Sequence, residues 1–251
     1  LPQDKSLLTA NSLDQAYRAR REVIEERRAL IGPVQALTPG VKRAAEIALR
    51  QTADFCQVLG RDVCLETHQV PFIDEELHAF ETVARRVGYR GRNLLRYVPE
   101  NISWDDLSKL PFKSKLPDFA SGVPRLPTVA PHGDELGVLN GCWYLHIPRL
   151  PFLSANKTMA EQEGLLLEVA RSYRARPTLI TLCDATDLVF LVALAAWCGD
   201  LDREPVSIAR TMTGASTGFH ACVVFGPSAV EIVRCEDDFR APYLGIAPAL
   251  V

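Results

Sequence analysis

No pair among the seven cysteines has C-x-x-C spacing. That removes the commonest zinc-box and dithiol redox signatures. No apolar run reaches the roughly 20 residues of a membrane-spanning helix. There is no strong charge of either sign: the net charge is −3, so no global field favours nucleic acid or a membrane surface. Internal repeats and low-complexity tracts are absent, as are a dinucleotide fingerprint and a lysine-bearing phosphate loop. No cofactor is implied. The first residues, Leu1-Pro-Gln-Asp-Lys5, show no secretory pattern. An odd cysteine count without a disulfide framework favours a reducing cytoplasm.

What is present is a large apolar fraction, 47%, with mean hydropathy near zero. The stretch from Arg176 to Val233 organises the chain. Pro177 breaks any preceding helix. Thr178-Leu-Ile-Thr-Leu-Cys183 then reads as a strand buried on both faces. Asp184 is placed to cap the next helix, and Asp187 puts negative charge in its first turn. That helix, Ala185 to Cys198, is apolar almost all round and is expected at the centre of the core. Gly199 stops it. Pro205 to Arg210 follows as a strand, so a right-handed parallel crossover is expected. Phe219–Phe225 and Ala229–Cys235 flank Gly226-Pro-Ser and read as an antiparallel hairpin.

Upstream, Leu13–Ile31 is a charged amphipathic helix. Its apolar pairs recur every seven residues, so it is a candidate surface for a second copy or a partner protein. Thr38-Pro39 opens a second helix with the stripe Val41, Ala45, Ala48, Thr52, Phe55 and Leu59. Asp74 opens a third, with Leu77, Phe80, Ala84 and Val87 on one face and Arg85 and Arg86 at its end. From Tyr97 to Gly137 prolines punctuate an irregular wrapping loop. Gly141–Ile147 is a strand candidate. Thr158-Met-Ala-Glu161 is a capping box opening a helix through Tyr173.

The expected fold class is α/β, with α+β as the alternative: a mixed sheet with flanking helices. Three regions are expected, a helical one over 1–97, the proline-rich loop over 98–137 and an α/β domain over 138–251.

Candidate chemistry is sparse. Gly214-Ala-Ser216-Thr-Gly218 matches the G-x-S-x-G elbow, but the elbow needs a helix after it and a strand-like run follows. No histidine lies beyond His220. Cys142 and His146 stand about 13 Å apart on one strand, at ~3.3 Å per residue, too far to share a metal. His220 and Cys222 share a strand face. Asp184 and Asp187 sit where a strand ends and a helix begins, the edge at which open α/β sheets bind ligands. Helix capping explains both without any function. A basic segment containing Arg85, Arg86, Arg90, Arg92, Arg96, Lys109, Lys113 and Lys115 is interleaved with Tyr89 and Tyr97, a mixture that suits nucleic acid. The acidic residues within it favour a solvated face instead.

Three functional readings follow. The first is a non-catalytic binding or assembly protein acting through Leu13–Ile31. The second is a hydrolase or transferase on a small anionic substrate. There Asp184 or His220 would be the acid–base group, Ser216 or Cys222 the nucleophile, and Asp187 and Arg210 the ligand contacts. The third is a weak nucleic-acid binder. Neither a metal nor a membrane is expected.

Overall fold

A computed structural model describes residues 37–62, 70–86, 89, 93–103, 106–107, 138–147, 154–172, 180–183, 185–200, 208–216, 219–225, 230–242, 244–246 and 248–250. The class is mixed α/β. Among the described residues the chain builds two four-stranded sheets around one buried helix.

Helix α1 (Pro39–Val58) starts with proline in its first turn, where no N–H is missed. Its stripe is buried as expected at Val41, Ala45, Ala48, Thr52 and Phe55. The amides of Val41 and Gly40 donate to the Asp74 carboxylate at 2.7 and 3.4 Å, so the start of the next helix caps this one. That next helix, α2 (Asp74–Arg86), buries Leu77, Phe80 and Ala84. Val87 lies outside the described residues.

Strand β1 (Leu95–Ser103) pairs antiparallel with β2 (Val138–His146). This corrects the expectation of an irregular chain from Tyr97. Pro99 reads as a breaker, but β1 is the outermost strand of its sheet, where a missing N–H is tolerated. The Tyr97 carbonyl accepts the Thr52 hydroxyl at 2.9 Å, pinning α1 onto β1. Thr52→Val, which removes this fully buried bond and keeps the volume, is expected to cost about 1–2 kcal/mol in urea denaturation.

Helix α3 (Met159–Ser172) begins with the expected box. The Glu161 carboxylate accepts the Thr158 amide at 2.8 Å, and the Glu161 amide donates to the Thr158 hydroxyl at 3.3 Å. Strand β3 (Ile180–Leu182) leads into helix α4 (Ala185–Trp197), whose residues Ala185 to Ala195 are all buried. Gly199 ends α4 at φ +69°. The Asp200 amide donates to the Ala195 carbonyl and that of Gly199 to Ala196, at 2.8 and 3.1 Å, the bond pattern of a Schellman stop.

The chain continues through β4 (Ile208–Ser216), β5 (Phe219–Phe225), β6 (Val230–Glu236), β7 (Leu244–Ile246) and β8 (Pro248–Leu250). The first sheet has the order β1-β2-β8-β3 and is antiparallel throughout. The second has the order β6-β5-β4-β7, with β4 and β7 its parallel pair. The β5–β6 hairpin is found as expected.

The parallel crossover from β3 to β4 is not. Those strands belong to different sheets. The cause is α4 itself. A helix apolar on every side needs cover on every side, so it passes between two sheets instead of lying on one. Val98, Cys142 and Tyr144 of the first sheet and Ala209, Ala221 and Val223 of the second enclose it. Phe190 meets Phe55 of α1 edge-on, with ring centroids 5.4 Å apart. The other face of β1 and β2, carrying Leu95, Tyr97, Trp143 and Leu145, packs against α1 and α2.

The helix expected over Leu13–Ile31 lies outside the described residues, as do residues 108–137 of the proline-rich stretch. Among the described residues no helix is long and apolar enough to cross a membrane. Arg96, Tyr89 and Tyr97 are all buried, so three members of the basic–aromatic segment are unavailable to phosphates or bases.

Candidate functional site

Period-2 alternation divides β5 between two environments. Ala221 and Val223 turn towards α4. His220 and Cys222 turn to the opposite face, where Cys222 joins Val233, Cys235, Ala241 and Leu244 in a small separate core. Register fixes the neighbours. Arg210 of β4 stands opposite Cys222, which stands opposite Val233 of β6. His220 stands opposite Cys235.

Arg210 is 1% exposed and organises the segment that follows β6. Its guanidinium donates to the carbonyls of Glu236, Asp237 and Phe239 at 3.0, 3.3 and 2.6 Å. It also donates to the Lys157 carbonyl at 3.1 Å and to Gln162 Oε1 at 2.9 Å at the start of α3. The Met159 amide donates to the Asp237 carbonyl as well, at 2.8 Å. Asp237 is thus held by its backbone from two directions. Its carboxylate Oδ1 lies 2.5 Å from His220 Nδ1. The two side chains are 23% and 34% exposed, so the imidazole is fixed yet reachable.

Two thiols lie beside this pair. Burial pushes the Cys222 thiol well up, and its hydrogen bond to Cys235 pushes it the same way. The same hydrogen bond, helped by the Arg210 charge, brings the Cys235 thiol below its usual range despite burial. The two thiols share this hydrogen bond, and the Arg210 charge favours a thiolate at either sulfur.

The expected site residues do not form one constellation. Arg210, His220 and Cys222 are brought to one sheet face. Arg210, however, is buried, and its two terminal nitrogens donate to acceptors inside the fold while Nε has no partner. Asp187 is elsewhere: buried on α4, it accepts a hydrogen bond from the Tyr144 hydroxyl of β2. That makes it part of the α4–sheet packing. Ser216 ends β4 opposite Phe219, and strand β5 follows where a nucleophile elbow needs a helix. Asp184 lies outside the described residues. Among the described residues no group of three or more histidine, cysteine or acidic side chains is placed to hold a metal ion.

Asp237 and Cys235 are the residues that sequence reasoning missed. The hairpin register places Cys235 opposite His220, whereas Asp237 lies in the turn after β6, which strand alternation does not reach.

A second polar group lies inside the first sheet. His146 is wholly buried, and both of its ring nitrogens lack a hydrogen-bond partner. Burial first, and the nearby Arg96 charge second, bring its pKa down to about 3. The unfolded chain protonates the same ring near pH 6.5. Above that pH neither state carries the proton and nothing is lost. Below it the unfolded chain takes up a proton that the folded chain refuses. Stability should therefore fall by up to ~1.4 kcal/mol per pH unit between about 6.5 and 3. His146→Leu removes two orphaned polar atoms, so its urea midpoint should hold or rise at pH 7 and decline less on acidification.

No family model matches this chain, and no curated protein or solved structure matches it either.

Proposed function

We propose that the protein is a thiol-dependent hydrolase or acyl transferase in which His220 is the general base and Asp237 its orienting carboxylate. The observation that carries this reading is the 2.5 Å contact between His220 Nδ1 and Asp237 Oδ1 on a partly exposed sheet face. A carboxylate on Nδ1 favours the tautomer with a proton there, leaving Nε2 as the basic nitrogen. It also stabilises the imidazolium that forms when Nε2 takes a proton. A base arranged this way needs a nucleophile with a removable proton.

Cys235 is the cross-strand neighbour of His220, on the same sheet face, and fits that role. Its thiolate attacks a carbonyl carbon, and His220 returns the proton to the leaving group.

The test is alkylation by a haloacetamide, mapped by peptide mass. The modification should fall on Cys235, and His220→Ala should slow it by about 10²-fold or more. Equal rates in the two proteins, or labelling confined to other cysteines, would remove the reading.

A further inference from the structure

We propose that Cys222 and Cys235 form a two-coordinate binding site for a soft monovalent d10 cation, of which copper(I) is the chemical type. The two side chains sit on adjacent strands of the β5–β6 hairpin, on one face, with their sulfurs in hydrogen-bond contact. Both are free thiols. Cys222 pairs with Val233 and Cys235 with His220, so the cysteines are diagonal neighbours. Diagonal positions stand about 7–8 Å apart at Cα. A disulfide spans at most ~6.8 Å, so oxidation to a disulfide requires the strands to move. A cation between the sulfurs does not, because it lengthens the bridge by two metal–sulfur bonds.

The surroundings favour a soft ion of low charge. Val233, Ala241 and Leu244 enclose the sulfurs, with Phe239 packed against them. These apolar side chains supply no further ligand, and soft thiolates suit copper(I). Charge also closes. Two thiolates and one monovalent cation leave a single negative charge. The Arg210 guanidinium acts on both sulfurs and offsets it. The Asp237 carboxylate is turned to the His220 imidazole, 2.5 Å from Nδ1. Binding forms two metal–sulfur bonds, breaks the S–H bonds and releases the protons to solvent. The Cys222 sulfur, 4.0 Å from the His220 carbonyl, gives up that weak contact when it turns to the ion. No electron changes hands.

The proposal shares Cys235 with the catalytic reading, so bound copper(I) would occupy the nucleophile, but it is tested separately because its readout is metal affinity and not turnover. The reduced full chain is titrated anaerobically with copper(I) held by a chromogenic chelator, and silver(I) serves as a redox-inert second probe. The wild-type protein should withdraw a single tight equivalent. Cys222→Ser and Cys235→Ser should each weaken that equivalent by at least roughly 100-fold, beyond the ~10–100-fold cost of losing an outer-shell partner. Cys198→Ser, at a half-buried thiol elsewhere on the chain, should leave it unchanged. X-ray absorption on the loaded wild-type protein needs no variant and should show two sulfur neighbours in a linear arrangement. A wild type that cannot compete with the chelator, an equivalent that survives in both hairpin variants, or an absorption spectrum with nitrogen or oxygen neighbours would overturn the assignment.

Discussion

Arg210→Met is expected to destabilise the fold by about 3–5 kcal/mol, close to the upper end for a single substitution. The guanidinium is 1% exposed and donates to five acceptors on two segments of the chain. Methionine fills much of the same space without a donor. The carbonyls of Lys157, Glu236, Asp237 and Phe239 would then compete for water in a site that excludes it. Arg210→Lys should recover only part of the loss, because an ammonium presents three donors from one point and cannot reproduce a planar fork. The check is the urea midpoint of both variants at constant slope. A methionine variant as stable as wild type would mean that the segment after β6 is held by other contacts.

The second large effect is expected at Asp200. Arg96 is wholly buried between the sheet and the end of α4. It donates to Asp200 Oδ2 and to Gln51 Oε1, each at 2.7 Å, while its Nε has no partner. Asp200→Ala leaves a buried cation with one neutral acceptor and should cost about 3–5 kcal/mol. Much of that penalty belongs to the stranded charge and not to the pair. Adding Arg96→Met to Asp200→Ala should therefore restore a substantial part of the stability, and a double-mutant cycle measures how much. If the double variant is no better than Asp200→Ala alone, desolvation of Arg96 is not the cause.

Local signals carried well from sequence to structure. Pro39, the Asp74 start, the Thr158–Glu161 box and the Gly199 stop each mark an element end, because each acts within one helical turn. The turn chemistry of Gly226-Pro-Ser between the β5 and β6 runs foretold their pairing. The topology around α4 was less accessible. Its uniform apolarity showed that it is buried, but not that the two neighbouring strands would join different sheets. Periodicity states how many faces need cover and leaves open what covers them. Pro99 misled because a proline in an edge strand and a proline in a loop look alike until the pairing is known.

The site divides along the same line. His220 was visible as a histidine on a strand. Its partner was not, because Asp237 reaches it only through a hairpin register and a backbone clamp by Arg210. Arg210 itself read as a free cation, since burial is a property of the fold and not of the residue.

The central claim is that Asp237 orients His220 to draw a proton from a cysteine. The most direct measurement is the pH–rate profile of cysteine alkylation in the wild type and in Asp237→Asn. The amide keeps the size of the side chain but removes its charge, and it can turn its N–H₂ towards Nδ1, favouring the wrong tautomer. The account predicts a slower reaction across neutral pH in the variant, with the rate recovering only at higher pH, as the thiol ionises without the base. Superimposable profiles in two equally folded proteins would contradict it.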